Sequence, residues 1–223
     1  MLKAEFTHQY YQSNGIPFRT KMIGKFDANM KLASIAPSVY NFLMSNSFTS
    51  SIAKSIMGIA PKRNFPLVYK TTLRNWASKN LKSLQPSSEK LIGKVNLFCD
   101  EYTNYNDTEV GIKAIKLLTS LGYEVLMPEH IESGRTFLSK GLLTDAKKVA
   151  KKNVSLLKDK VSKEIPLIGI EPSAILGFRD EYPKLVDLNE KSDADALAKN
   201  CFLIDEFLAN EIDAGSCLLY TSD

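Results

Sequence analysis

Long apolar runs are missing from this chain of 223 residues, and cysteine is scarce. No stretch reaches the roughly 18–20 apolar residues that a membrane-spanning helix needs, and the first residues are too polar for a secretory signal. The three cysteines form no Cys-x-x-Cys pair and their number is odd, so they offer no disulfide framework. That pattern fits a reduced, cytoplasmic setting.

Acidic residues are rare in the first part of the chain. Residues 1–90 contain 13 lysines and arginines against three acids, whereas residues 91–223 contain 16 against 22. Such asymmetry indicates two regions with different surroundings. A basic face could meet nucleic acid, an anionic membrane or an acidic protein surface. Because the basic residues are dispersed and not interleaved with aromatics, we expect no nucleic-acid partner, at most peripheral membrane contact, and packing against an acidic domain.

The segment Gln85-Pro86-Ser87-Ser88 is the best linker candidate, and it coincides with the change in charge. We therefore predict a helical segment over residues 1–85 and a second domain over residues 90–212. Single helices are predicted over 18–34 and 138–161, and 194–208 is expected to be helical or mixed. Residues 217–223 resemble the translation of a sequencing adapter and are predicted to be an artefact outside the fold.

Three short apolar runs predict the core of the second domain. They cover residues 95–98, 123–127 and 166–170, and amphipathic helical patterns separate them. This alternation predicts an α/β fold, with a parallel sheet and flanking helices. Because the carboxyl ends of parallel strands lie at one edge, the loops after the three runs are expected to converge on one pocket. No GxGxxG or P-loop motif follows the first run, which argues against a nucleotide site.

A set of residues in and beside these loops carries a family resemblance. It includes Leu97-Phe98, Asp100, Thr103-Asn104-Tyr105, Glu109-Val110-Gly111, Leu121-Gly122-Tyr123, Gly134-Arg135, Gly169-Ile170-Glu171-Pro172-Ser173 and Phe178-Arg179-Asp180-Glu181. Together they resemble the C-terminal cysteine-rich (CCG) domain of large oxidoreductases that contain flavin and iron–sulfur clusters. These are the D-lactate, glycolate and D-2-hydroxyglutarate dehydrogenase-like proteins. The resemblance implies a Rossmann-like domain, preceded by the helical segment that follows the family's ferredoxin-like clusters.

The same resemblance implies that the chain is a C-terminal fragment of a FAD-linked 2-hydroxy-acid dehydrogenase or oxidase. In the parent protein, FAD and 4Fe-4S clusters are expected, and the cofactors carry the redox chemistry. The sequence contains no Cys-x2-Cys-x2-Cys run and no flavin-binding segment. We therefore expect this chain to bind no cofactor and to be inactive by itself. Its expected partners are the upstream flavin and ferredoxin-like domains of the same chain, with an unspecified electron acceptor.

The cysteines that hold the family's cluster are replaced in this sequence. Glu101 stands at the first-loop cysteine, Glu132-Ser133-Gly134-Arg135 at the CCG-Arg motif, and Pro172-Ser173-Ala174 at the Pro-Ser-Cys motif. Since iron–sulfur clusters are held by thiolates, the resemblance implies an electron-relay or acceptor-docking domain with degenerate cluster ligands. Two alternatives stay open: a non-catalytic interaction or structural module, and a small-molecule or metal-binding domain at the carboxyl edge of the sheet.

The candidate pocket residues come from the three loops, and none is predicted to be catalytic. No metal is expected, although Glu101, His130, Glu132 and Glu171 could hold a hard or borderline ion. Helix caps and salt bridges are the favoured alternative for these acids. Arg135 and Arg179 could grip a carboxylate, but acidic neighbours compete for them. The complete set is Asp100, Glu101, Asn104, His130, Ser133, Gly134, Arg135, Glu171, Ser173 and Arg179.

Overall fold

The computed structural model describes residues 1–215, in which helices surround one small parallel sheet. The first helices precede the sheet, and later helices alternate with its strands. This arrangement confirms the predicted α/β fold with a helical N-terminal region. Residues 217–223, which we predicted to be an artefact, lie outside the described residues.

Four parallel strands form the sheet in the order β2-β1-β3-β4. In register, Val95 lies opposite Val125, Leu97 opposite Ile168, and Ile168 also opposite Phe202. The fourth strand lies inside the segment that was expected to be helical or mixed, and three residues are too few to show an alternating pattern. The strands are β1 (Gly93–Phe98), β2 (Tyr123–Leu126), β3 (Leu167–Gly169) and β4 (Cys201–Leu203).

Fourteen α-helices occur among residues 1–215, and none of them is long and apolar enough to cross a membrane. A short 3₁₀ helix, Leu188–Glu190, precedes α13. The α-helices are α1 (Leu2–Asn14), α2 (Phe18–Gly24), α3 (Phe26–Ala33), α4 (Pro37–Ser45), α5 (Ser47–Met57), α6 (Leu73–Leu84), α7 (Glu101–Tyr105), α8 (Thr108–Ser120), α9 (Arg135–Ser139), α10 (Leu143–Leu157), α11 (Pro172–Asp180), α12 (Tyr182–Leu185), α13 (Lys191–Ala198) and α14 (Ile204–Asp213).

Two helices that the sequence predicted as continuous are broken. The predicted helix 18–34 divides at Lys25 into α2 and α3. The predicted helix 138–161 is also wrong, because α9 ends before Gly141, whose φ of +71° lies in the left-handed region. A Cβ at Gly141 would lie 2.6 Å from the Cβ of Thr7, so α1 approaches the chain closely at this break.

Both faces of the sheet are buried under helices, which explains why the strands are apolar runs without strict alternation. On one face, Val95, Leu97 and Ile168 pack with buried residues of α6, α8 and α14. On the other face, Phe98 and Leu167 pack with residues of α10, α11, α12 and α13. The carboxyl edge between these layers is where the loops leave the sheet.

Helix α6 precedes the predicted linker, and yet it packs on the sheet layer. Its Leu73 and Ala77 are buried in the same cluster as Val95. The linker residue Gln85 also contacts the sheet, because its side chain donates to the carbonyl of Val125 and accepts from the Val125 backbone N–H, at 2.7 and 3.0 Å. The division into domains at residues 85–90 stays a prediction.

Replacing Gly111 with alanine tests the close packing of α6 on α8. A Cβ at Gly111 would lie 2.4 Å from Leu73 Cδ2, which belongs to a fully buried side chain. We expect Gly111→Ala to lower the free energy of unfolding by about 1–3 kcal/mol, because overpacking outweighs the gain in helix propensity. Gly177→Ala in α11 is the matched control, since its Cβ would meet nothing closer than 3.7 Å. It should raise stability by about 0.5–1 kcal/mol, and equal effects in urea unfolding would contradict the expected packing.

Candidate functional site

A cleft of about 520 Å³ opens at the carboxyl edge of the sheet. All three loops that were predicted to converge contribute to it: Glu101 follows β1, Ser133 follows β2, and Ala174 follows β3. These residues are more than 30 positions apart in sequence. Parallel topology therefore assembles the cleft from distant segments.

Asp100 lies two residues after the end of β1 and caps the N-terminus of α7. Its Oδ1 accepts hydrogen bonds from the backbone N–H groups of Tyr102 and Thr103, at 2.9 and 2.8 Å. The residue is only 1% exposed, and its Oδ2 has no partner at hydrogen-bonding geometry among the described residues. Burial raises the pKa of this carboxyl, against the opposing effect of the hydrogen bonds from Thr103 and Tyr102.

Glu101 and Ser133 join the first loop to the second. Glu101 Oε2 accepts from the Ser133 backbone N–H at 2.9 Å, and Oε1 accepts from the Ser133 hydroxyl at 2.7 Å. Both residues are buried. Burial raises the pKa of Glu101, whereas the two Ser133 hydrogen bonds lower it. Two positions that the family resemblance assigns to cluster cysteines are thus bonded directly to each other.

Asn153 of α10 and Tyr182 of α12 form hydrogen bonds with the backbone of the second loop. Asn153 Oδ1 accepts from the Ile131 N–H at 2.9 Å, and its Nδ2 donates to the Glu132 carbonyl at 2.8 Å. The Tyr182 hydroxyl donates to the Ser133 carbonyl at 2.9 Å. Because Asn153 and Tyr182 are themselves buried in the core, this loop is fixed in place.

His130 is buried with both ring nitrogens engaged. Its Nδ1 donates to the Ile131 carbonyl at 2.8 Å, so Nε2 is the accepting nitrogen. Nε2 accepts from the Cys99 backbone N–H at 3.1 Å and from an Arg74 guanidinium nitrogen at 2.7 Å. Burial, followed by the Arg74 charge, lowers the pKa of His130 to about 3. The ring is neutral and structural, and neither nitrogen faces a vacant ligand position.

A second cavity, of about 370 Å³, lies beside the cleft and contains Arg74, His130 and Glu132. Asn104 reaches it as well, and its Oδ1 accepts from the Arg74 backbone N–H at 3.1 Å. Within the described part of the chain, the Oε2 atom of Glu132 is buried without a hydrogen-bond partner. Burial and the nearby Asp27 carboxylate raise the pKa of Glu132 to about 8. Unlike Glu101, whose two carboxylate oxygens accept from Ser133, Glu132 has a buried oxygen without a donor among the described residues.

The third loop places Glu171 at the start of α11. Its Oε2 accepts from the Ala174 N–H and from the Ser173 hydroxyl, both at 2.7 Å. Glu171, Ser173 and Arg135 all line the cleft. Gly134 supplies the left-handed residue that precedes α9, with a φ of +71°. The first turns of α9 and α11 therefore border the cleft.

The two candidate arginines have different surroundings. Arg135 lines the cleft and lies 3.6 Å from a carboxylate oxygen of Glu181. Arg179 lies at the far end of α11, outside the residues that line the cleft, and its Nη1 donates to both carboxylate oxygens of Glu206 at 2.9 and 3.0 Å. Of the two, only Arg135 is placed to meet a ligand in the cleft.

Several residues of the site lie outside the three predicted loops. Phe26 of α3 lines the cleft and stacks against Tyr102, with ring centroids 6.3 Å apart, and the Thr136 hydroxyl donates to the Gly24 carbonyl. Arg74 comes from α6. No motif in the sequence marks these residues, because they reach the site only through tertiary contacts.

An iron–sulfur cluster does not fit the residues at this edge. Positions 101, 133 and 174 carry a carboxylate, a hydroxyl and a methyl group. The nearest thiol, Cys99, is buried beside Asn104, and burial raises its pKa to about 12, which disfavours the thiolate that a cluster needs. Cys201 lies in the opposite core and bonds to the Leu197 carbonyl. Within residues 1–215, no group of three histidine, cysteine or acidic side chains is arranged to hold a metal ion.

Comparison with known proteins places the chain among relatives that are dehydrogenases, a class of oxidoreductase. It is 24% identical to D-2-hydroxyglutarate dehydrogenase of Escherichia coli (strain K12), over 95% of this chain and 21% of that enzyme. The enzyme of the same name from Pantoea ananatis (strain AJ13355) is 24% identical over 82% of this chain and 18% of its own length. One subunit of the anaerobic glycerol-3-phosphate dehydrogenase of Escherichia coli (strain K12) is 25% identical over 86% of this chain and 52% of its own length.

The chain thus spans about a fifth of the D-2-hydroxyglutarate dehydrogenases that it matches. These relatives confirm the predicted resemblance and fit a fragment of a larger oxidoreductase. No protein-family model matches the chain. No solved structure matches it significantly.

The raised pKa of Glu132 predicts a stability that falls as pH rises. The folded state keeps the proton up to about pH 8, whereas an unfolded glutamate loses it near its ordinary value of 4.5. The contribution of this group to folding is therefore fully present below that ordinary value, and it is lost as pH rises through about 8. We expect Glu132→Gln to flatten this decline, so that the variant exceeds the wild type in stability above pH 8.

Urea unfolding at a series of pH values measures this effect. Glu89→Gln, at an exposed glutamate, is the matched control and should leave the profile unchanged. Parallel pH profiles for the wild type and Glu132→Gln would contradict the assignment.

Proposed function

We propose that the chain is part of a FAD-linked, iron–sulfur-containing 2-hydroxy-acid dehydrogenase, in which its α/β domain docks the electron acceptor. Relatives named D-2-hydroxyglutarate dehydrogenase support the reaction class. The chain matches only part of each relative, and the flavin would reside in the remainder. In that parent, the flavin supplies the hydride chemistry.

The hydrogen-bonded pair of Glu101 and Ser133 is the observation that carries the proposed docking role. A relay needs a redox centre, and this pair fills two of the positions at which the family resemblance expects thiolates. Ala174, at the third position, offers no ligand atom. The loop framework is retained while its ligands are degenerate, which supports a surface for recognition rather than a step in the electron path.

The open cleft supports the same role. Val110 and Ile170 give it an apolar wall, and Arg135 lies beside them with a side chain 42% exposed. An exposed guanidinium next to apolar side chains is a common element of protein recognition. We infer that acceptor binding uses Arg135, whereas Arg179 is committed to Glu206.

Restoring the thiols tests the degenerate-ligand part of this proposal. The variant Glu101→Cys/Glu132→Cys/Ser133→Cys/Ala174→Cys should take up iron and sulfide during anaerobic reconstitution, whereas the wild-type chain should take up neither. A variant with only Glu132→Cys/Ser133→Cys is the matched control, because it restores one loop of the three. Iron with sulfide near stoichiometry in the wild type would overturn the proposal, and so would a folded fourfold variant that stays colourless.

The complete gene product tests the docking part. We expect it to purify with flavin, and its flavin to be reduced by a 2-hydroxy acid at the same rate in the wild type and in Arg135→Ala. Electron transfer from the reduced flavin to an added acceptor should have a higher KM in Arg135→Ala than in Lys116→Ala, an exposed control on α8. A product without flavin would refute the assignment, and unchanged acceptor kinetics would favour a purely structural module.

A further inference from the structure

Helices α2 to α5 form an apolar groove of about 410 Å³, which shares only Phe26 with the cleft at the sheet edge. Four of the six methionines in the sequence line it: Met22, Met30, Met44 and Met57. Methionine is flexible and polarisable, so a surface rich in it adapts to the side chains of a partner. Met30 is buried in a small core cluster, whereas Met22, Met44 and Met57 are partly exposed, and these three therefore indicate a binding surface.

Large apolar side chains on the same helices are open to solvent, and one of them, Leu32, lines the groove. Leu32 is 70% exposed, Phe42 69% and Ile56 66%. Single exposed apolar residues are common, but eight of them on three successive helices and their connections indicate an interaction surface. The complete group on α3, α4, α5 and their connections is Leu32, Ile35, Val39, Phe42, Leu43, Phe48, Ile52 and Ile56.

Acidic residues are nearly absent around this surface, and Asp27 in the first turn of α3 is the exception. Residues 28–88 contain eight lysines and arginines and no acidic residue. Among the described residues, every salt bridge involves a basic residue at position 94 or later. Of the earlier basic residues, Lys31 and Arg74 interact electrostatically with Asp27. Lys62 and Arg63 are exposed in the segment between Ile59 and Phe65, two residues that line the groove.

We propose that this groove binds an amphipathic helix with an acidic polar face, contributed by a partner protein. A helix in a groove buries an apolar stripe between methionines and places its polar face at the rim. Acidic residues there would meet Lys62 and Arg63, which gives the charge complementarity. The concave shape favours an inserted helix over a flat lipid surface. The groove and the cleft at the sheet edge share only Phe26, so this binding does not depend on the role proposed for the cleft.

Fluorescence anisotropy with two labelled peptides tests the proposal on the complete chain. Both peptides are designed helices with the same leucine stripe, and their polar faces carry either glutamates or lysines. The glutamate peptide should bind, and the lysine peptide should bind at least about tenfold more weakly, a difference of about 1.4 kcal/mol. Binding of both peptides with equal affinity would overturn the charge assignment.

Two variants locate the binding site. Met44→Gln/Met57→Gln changes the groove and Lys62→Glu/Arg63→Glu changes its rim, and each should weaken glutamate-peptide binding at least about tenfold. The controls are Leu188→Gln, at a residue 91% exposed in the 3₁₀ helix and outside the groove lining, and Lys116→Glu/Lys163→Glu. Circular dichroism checks that each variant is folded. If the rim variant, which alters only exposed residues, binds as well as the wild type, the proposal fails.

Two further measurements separate the other occupants of the groove. Sedimentation with phosphatidylserine-containing vesicles, without peptide binding, would assign the face to a membrane and overturn the proposal. Self-association in analytical ultracentrifugation that is lost in Met44→Gln/Met57→Gln would assign it to a second copy of the chain, which also overturns it.

Discussion

Parallel pairing of β1 with β2 on one side and β3 on the other sets the positions of all three loops of the candidate site. Since helices cover both faces, these loops leave the sheet between two packed layers, and most of their buried backbone groups need partners within the chain. Asn153 and Tyr182 satisfy the backbone of the second loop, and Asp100 satisfies that of the first. Without the central strand, no local interaction would bring Glu101 to Ser133.

The positions that the family resemblance assigns to cysteines carry oxygen donors at residues 101 and 133 and a methyl group at residue 174. Where a cluster would need ionised sulfur, the chain has buried carboxyl groups whose pKa values are raised by burial. At each of these groups, burial opposes the hydrogen bonds from neighbouring residues, which favour the charged form. Similarity to relatives that are named dehydrogenases therefore does not by itself place a cluster at this edge.

The sequence predicted the long, strongly patterned elements and missed those decided by contacts elsewhere. Strands β1, β2 and β3 were predictable, because each is an apolar run bounded by polar loops. The break at Gly141 was not, since the apolar pattern continues through it and only the approach of Thr7 requires a glycine there. In the site, Glu101 and Ser133 were predictable from loop positions. Arg74 comes from a helix far earlier in the sequence, and no local pattern could link it to His130.

The contact of Gln85 with Val125 has a consequence for how the sheet ends. β2 is an outer strand, and an uncovered outer strand offers free N–H and C=O groups to a strand from another molecule. The Gln85 amide occupies one N–H and one C=O of β2, as a neighbouring strand would at that rung. The segment that connects the helical region to the sheet thus blocks strand pairing with another molecule at this position. A truncation that removed Gln85 would leave the N–H and C=O groups of Val125 exposed at the edge of the sheet.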